Sequence, residues 1–237
     1  AFSAFTNPNS NDLNAILSNH VVVGAAAFSS DLTNSYVNTA AEFAADENLS
    51  LYINTDDGVT LNGTSSVVTA DIVASNGVIH TVNAVIDLPT VVTFAVADPN
   101  FSTLVQALTE LTPSTDFVSV LSAQDGAGSD PFTVFAPTNA AFDALASIPA
   151  EADLIPILQH HVVAGANIRS GDLSDGATAT TLEGDMITIN LPGTGDNIAD
   201  ITDGAGNTGI GIDAVDVQAI NGVIHVVDTV LIPNTTN

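Results

Sequence analysis

Asn221-Gly222-Val223-Ile224-His225 lies in the last apolar block of the chain, and the same five residues stand earlier as Asn76-Gly77-Val78-Ile79-His80. Reading upstream from each copy extends the match. Asn14-Ala15-Ile16-Leu17-Ser18-Asn19-His20-Val21-Val22-Val23-Gly24 aligns with Ile155-Pro156-Ile157-Leu158-Gln159-His160-His161-Val162-Val163-Ala164-Gly165, with His20 lying 141 residues before His161. Asp31-Leu32 meets Asp172-Leu173 at the same offset, while the Asn-Gly blocks are 145 apart. A drift of a few residues is what surface loops accept. A period this long is the size of a domain and far beyond a solenoid repeat.

The longer second copy shows what each domain is built from. Asp98-Pro99 reads as a helix start, with Asp at the cap and Pro in the first turn. Phe101, Leu104, Val105, Leu108 and Leu111 then fall on one helical face. Thr133-Val134-Phe135-Ala136 reads as a buried strand stopped by Pro137, and Thr138 as the cap of a short helix carrying Phe142 and Leu145. Asp153 opens a further helix through Leu158, followed by extended His161-Val162-Val163. From Thr181 the period changes to two: Met186, Thr188 and Asn190 alternate with Ile187, Ile189 and Leu191. Asn221-Gly222 between β-branched runs signals a hairpin. Helices precede strands, so the expected class is α+β.

Charge narrows the possible partners. The chain carries one base, Arg169, against 27 acids, a formal net charge of −26. Nucleic acid and anionic membrane surfaces are poor partners for such a surface, because both are held by Lys and Arg. Salt or calcium-containing fluid is the expected habitat, since salt screens self-repulsion. Hydrophobic residues make up 46%, too many for disorder. The apolar run at 85–96 is broken by Asp87 and Pro89, so no membrane insertion is expected in this segment. The absence of cysteine removes disulfides, thiolate metal sites and thiol nucleophiles.

Thr133-Val134-Phe135-Ala136-Pro137-Thr138-Asn139-Ala140-Ala141-Phe142 closely resembles the first signature block of the fasciclin I-type domain family. Asn221 through Pro233 is similar to its second block, and His161-Val162-Val163 stands at its central Tyr-His motif, with His160 replacing the aromatic. The resemblance implies a wedge-shaped β-sandwich with packed helices, in tandem. It places the C-terminal part of one domain at 1–89, a short packed linker at 90–97, a complete domain at 98–233 and a tail at 234–237. Ala1-Phe2 aligns with Ala141-Phe142, so counterparts of about 98–140 are expected to precede the first copy. On that alignment 97–237 should fold alone and 1–96 should not.

The family occurs in animals, plants, algae and bacteria, and an acidic, bacterial member is expected. The resemblance implies extracellular or cell-surface adhesion without catalysis, to cell-surface or matrix glycans or proteins, alongside neighbouring fasciclin-type domains of the same chain. A structural spacer in a stalk or filament is the alternative. In animal members an Asp-Ile pair just before the second block is linked to integrin recognition. Asp71-Ile72 and Asp216-Val217 stand there and are the candidate binding residues. The flanking Thr69-Ala70 and Ala214-Val215 depart from the animal motifs, so the integrin itself is not carried over. Thr133, Phe135, Pro137, Thr138, Phe142, His20, His161, Asn76, Gly77, His80, Asn221, Gly222 and His225 are expected to be structural.

Other constellations read as structure. Gly204-Ala205-Gly206-Asn207-Thr208-Gly209 has the glycine spacing of a dinucleotide loop, but the strand-like Ile210-Gly211-Ile212 follows where a helix is needed, so a turn is expected. Asp200, Asp203 and Asn207 lack EF-hand spacing and a closing Glu, so no metal or other cofactor is expected. No nucleophile elbow or His-Glu-x-x-His occurs, and no catalytic residue is assigned. The histidines recur beside Val-rich strands, which suggests duplicated buried imidazoles with hydrogen-bond partners.

Overall fold

The computed structural model describes residues 10–123 and 131–234. The chain divides into two compact units, one of residues 1–98 with 218–220 and one of residues 99–217 with 221–237. The alignment of Ala1-Phe2 with Ala141-Phe142, and the tail residues 235–237, lie outside the described residues.

In the first unit, α1 (Ser10–Ser18) is followed by β1 (Ser35–Ala44), β2 (Glu47–Asn54), β3 (Thr60–Leu61), β4 (Ser65–Ala74), β5 (Gly77–Val82) and α2 (Val91–Ala97). The strands pair in chain order as one antiparallel sheet. β2 supplies much of the core, with Leu49, Leu51, Tyr52 and Ile53 buried. The 90–97 stretch, expected as a short joint, folds as helix α2. Thr90 and Thr93 cap its start reciprocally, each side chain meeting the other's backbone N–H. Phe94 on this helix is buried and packs edge-on against Tyr36. Asp98 closes α2 through its N–H to Phe94, and its carboxylate accepts from Tyr36 (2.9 Å) and Tyr52 (3.3 Å). Burial, followed by the Asp98 charge, pushes the Tyr52 hydroxyl up to about 12 and Tyr36 higher still.

The second unit begins with a 3₁₀ turn at Pro99–Phe101 running into α3 (Ser102–Thr109). The expected helical face is present, with Phe101 and Leu104 buried and Val105, Leu108 and Leu111 half-buried. There follow α4 (Phe117–Leu121), β6 (Phe132–Pro137), α5 (Asn139–Asp143), α6 (Glu151–His160), β7 (Val162–Ala164), β8 (Thr178–Thr180), β9 (Met186–Asn190), β10 (Ala199–Thr202), β11 (Ile210–Ala219) and β12 (Gly222–Val227). The seven strands order as β7-β6-β12-β11-β10-β9-β8. β6 is parallel to β12 and antiparallel to β7.

All six β6 residues are buried, as a strand with a neighbour on each side should be. The alternation in β9 is realised: Ile187 and Ile189 enter the core while Met186 is exposed. They join Phe135, Ile201, Ile212 and Leu231 in one apolar cluster, each side chain worth roughly 1.5–3 kcal/mol relative to exposure. Both units are α+β.

Both Asn-Gly pairs do mark hairpins, but the glycine has a different task from the one expected. The turns fall on Ser75-Asn76 and Ile220-Asn221, and each glycine is the first residue of its strand. A Cβ on Gly222 would overlap the Phe132 carbonyl oxygen, so Gly222 is what lets β6 approach β12.

Candidate functional site

The candidate binding pairs occupy equivalent bends. In β4 the register slips between Thr69 and Ile72, and Asp71 takes a left-handed backbone (φ 60°); Asp216 in β11 does the same (φ 62°). An aspartate tolerates this conformation better than a β-branched residue, at a cost of order 1 kcal/mol. Each carboxylate is held by a serine of the preceding copy-equivalent 3₁₀ turn. Asp71 accepts from the backbone N–H (2.8 Å) and hydroxyl of Ser29, and Asp216 from the backbone N–H (2.8 Å) and hydroxyl of Ser170. The Ser29 hydrogen bonds, hydroxyl first, hold the Asp71 carboxyl below its usual range. Arg169 lies 3.8 Å from Asp216, a half-buried ion pair at the long end of the distance range.

The next residues part company. Ile72 is 42% exposed, while Val217 is 5% exposed and belongs to the buried set. Only the first copy therefore presents the apolar member of the pair to solvent.

The histidines lie in two duplicated clasps. The Ile86 N–H donates to His20 Nε2 (3.0 Å) and the Leu231 N–H to His161 Nε2 (2.9 Å). Nε2 is thus unprotonated in both, and Nδ1–H donates to Ile16 O (2.7 Å) or Ile157 O (2.8 Å). Burial pushes His161 down to about 4. His80 and His225 use the opposite nitrogen, donating from Nε2 to Ala27 O and Ile168 O, each at 2.8 Å. Burial also lowers the His225 pKa. Its Nδ1 has no partner among the described residues, and its ring stacks on Phe135 at 5.6 Å between centroids.

The remaining motif residues hold β6 and its surroundings. Thr133 Oγ1 donates to Ala166 O and accepts from the Ile168 N–H. Pro137 ends β6, Thr138 caps α5 at the Ala141 N–H, and Phe142 is buried on that helix. Asn221 donates from its side chain to Leu121 O and Ala123 O. In the first copy Asn76 sits exposed in its turn and Gly77 opens β5.

Gly204–Gly209 is the turn joining β10 to β11. The Asp203 carboxylate accepts from the Asn207 backbone and side chain and from the Ile232 N–H. That of Asp200 accepts from Asn197 and the Thr194 N–H. Among the described residues no group of three metal-ligating side chains converges.

Sequence reading missed three features. Ser29 and Ser170 are one; the repeat of Asp31-Leu32 and Asp172-Leu173, extended back two residues, contained them. The Tyr36–Tyr52–Asp98 cluster, using both tyrosines of the chain, gave no local signal. Nor did the buried His160, whose Nε2 accepts from the Gly204 N–H (3.0 Å) while its Nδ1–H faces Glu183 (3.0 Å) and Thr181 (3.1 Å).

The Fasciclin domain model matches residues 1–89 and 99–233, and the chain belongs to the fasciclin domain family. Protein sll1483 of Synechocystis sp. is 36% identical over 156 residues, covering 61% of this chain and 73% of that protein. The cell surface glycolipoprotein MPB83 of Mycobacterium bovis is 35% identical over 150 residues, or 60% of each chain. Among solved structures, the FAS1 domain pair of the insect cell adhesion molecule fasciclin I superposes with a TM-score of 0.58 at 20% identity, over 94% of this chain and 80% of that one. The fold is that of a FAS1 domain pair. Among the described residues no helix is long and apolar enough to cross a membrane.

Proposed function

We propose that the chain is a non-enzymatic adhesion module of the cell surface or extracellular space, contacting glycans, matrix or surface proteins through its first copy. The observation that carries this reading is the asymmetry at the duplicated bend. The same Asp–Ser clasp holds both bends, yet Ile72 is exposed where Val217 is buried. MPB83 is a cell surface glycolipoprotein and fasciclin I a cell adhesion molecule, which supports the setting. The −26 charge favours neutral or cationic partners, or calcium-bridged ones, over polyanions.

The test is attachment of cells to the immobilised chain, compared with Ile72→Ser. That substitution leaves the Asp71–Ser29 hydrogen bonds in place. Attachment should fall several-fold with an unchanged circular dichroism spectrum. Unchanged attachment would remove Ile72 from the contact, and no attachment by the parent chain to any cell, matrix or glycan surface would favour a spacer.

A further inference from the structure

α6 ends on His160, and His161 follows it, but the two imidazoles meet different surroundings. Both ring nitrogens of His161 meet backbone atoms, Ile157 O and the Leu231 N–H, and burial pushes its pKa down to about 4. Those of His160 meet a backbone donor on one side and a carboxylate on the other. The Gly204 N–H donates to Nε2 (3.0 Å), which leaves the proton on Nδ1, facing Glu183 Oε2 (3.0 Å) and Thr181 Oγ1 (3.1 Å). His160 is fully buried, and the Glu183 side chain is 12% exposed. The first copy has Asn19 at this position, donating to Asp87 O (2.9 Å) and accepting from Thr39 Oγ1 (3.2 Å). Each copy thus sets one polar side chain here with a threonine beside it, and only the second copy's can take up a proton.

Gly204 belongs to the turn between β10 and β11, and that turn holds the segment after β12. The Ala205 N–H donates to Ile232 O (3.0 Å), and the Ile232 N–H donates to the Asp203 carboxylate (2.9 Å). The Asn234 N–H donates to Asp185 (2.6 Å). A Cβ on Gly204 would lie 3.0 Å from His160 Cε1 and from the Asn234 nitrogen, and 3.1 Å from the Asp185 carboxylate. Ring, turn and segment 232–234 are therefore in direct contact. The titratable groups around the ring are Glu183 and Asp185 from the β8–β9 turn, Asp203 from the end of β10, and His161 beside it in the chain.

We propose that His160 is a proton-operated latch on the 203–207 turn and, through that turn, on the segment after β12. A second proton has one place to go, Nε2. There it sets an N–H against the Gly204 N–H, donor facing donor, and the hydrogen bond between them is lost. The new charge is accommodated on the other side of the ring. Nδ1–H already points at Glu183, and the imidazolium becomes a charge-assisted partner of that carboxylate. The ring therefore stays with Glu183, and the Gly204 turn is what moves, taking with it the two bonds that hold Ile232. His161 lacks this arrangement, since its Nδ1–H donates to a neutral carbonyl. Asn19 holds the equivalent place in the first copy at every pH, so the latch belongs to the second unit alone.

The experiment records amide and imidazole nitrogen shifts of the isotope-labelled full chain from pH 8 to pH 5, the range in which histidines change charge. The Gly204, Ala205 and Ile232 amides should shift with one midpoint, that of the His160 ring. The Leu231 amide, bound to His161, should not follow them. His160→Asn, which installs the first copy's residue, should abolish the transition. Glu183→Gln keeps an acceptor for Nδ1–H and removes its charge, so it should lower the midpoint by about one pH unit. Where His160→Asn does not fold, Glu183→Gln decides alone. Three results would overturn the proposal. The first is a His160 ring that keeps one charge state across this range. The second is a Gly204 amide that holds its shift while the ring titrates. The third is an unchanged midpoint in either variant.

Discussion

Acidification from pH 7 to pH 5 should destabilise the second unit through His161. The imidazole is buried, its Nε2 accepts from the Leu231 N–H, and its pKa is lowered to about 4 by that burial. In the unfolded chain a histidine titrates near ~6.5. The unfolded state therefore binds a proton that the native state refuses, and stability falls as pH drops through this window. The contribution is fully present above ~6.5 and is lost progressively towards 4, about 3 kcal/mol in total and about 2 kcal/mol of it by pH 5. His225, shifted in the same direction by burial, adds to the slope. Among the carboxylates, hydrogen bonds hold Asp71, Asp116, Glu151 and Asp200 below their usual range, whereas burial and then the Asp228 charge raise Asp213, whose protonation in the folded state opposes the slope. Urea unfolding at pH 7, 6 and 5 measures the slope. His161→Gln, which does not titrate, should lose about 1–3 kcal/mol at pH 7 but show a shallower slope. Nitrogen-detected NMR should show the Nδ1–H tautomer at pH 6. An equal slope in parent and variant, or a His161 ring that titrates near 6.5, would refute the buried-clasp argument.

Other expectations follow from particular groups. The melting temperature should rise between ~0.01 M and ~1 M salt as the Debye length contracts from ~30 to ~3 Å; an unchanged value would mean that the −26 charge is not felt. Calcium should stabilise no more than magnesium at equal concentration, because Asp200 and Asp203 already accept from internal donors; calorimetry showing selective micromolar binding would contradict this. Tyr36→Phe removes the 2.9 Å bond to Asp98 and should cost about 1.5–3 kcal/mol by denaturant titration of the first unit. Gly222→Ala should destabilise strongly, because its Cβ has to displace β6; a neutral result in the melting profile would show that the close approach to Phe132 is unimportant.

The parts of this fold written in local pattern were legible in the sequence. Ile187 and Ile189 in β9, the Phe101–Leu104 face and the Thr138 cap each declare themselves within a few residues. The duplicated histidines announced hydrogen-bonded imidazoles, but the expected burial holds only in the second copy: His161 and His225 are buried, whereas His20 is exposed and His80 half-buried. Their partners gave no signal. Leu231 N–H and Ile168 O are backbone atoms far along the chain, and any residue type supplies them. The Tyr36–Asp98 bond spans 62 residues and has no counterpart at the repeat offset, so self-comparison was blind to it. The roles of Asp71 and Asp216 were hidden differently: an Asp before a β-branched residue looks like a surface motif until the serine that binds it is seen.

The duplication also separates what the fold needs from what a single copy is free to change. A residue whose partner atom repeats with it is explained by the partner. Ser29 with Asp71 and Ser170 with Asp216 form the same two hydrogen bonds, so neither carboxylate needs an outside ligand to account for its presence. The same holds for the four clasp histidines. What the partners leave unexplained is a wider set of positions where the second copy buries an apolar side chain and the first exposes it, among them Leu17 against Leu158, Val21 against Val162, Ile72 against Val217 and Ile79 against Ile224. Fully exposing a large aliphatic forfeits roughly 1.5–3 kcal/mol of burial. The proposed partner contact at Ile72 would recover part of that free energy in the first copy.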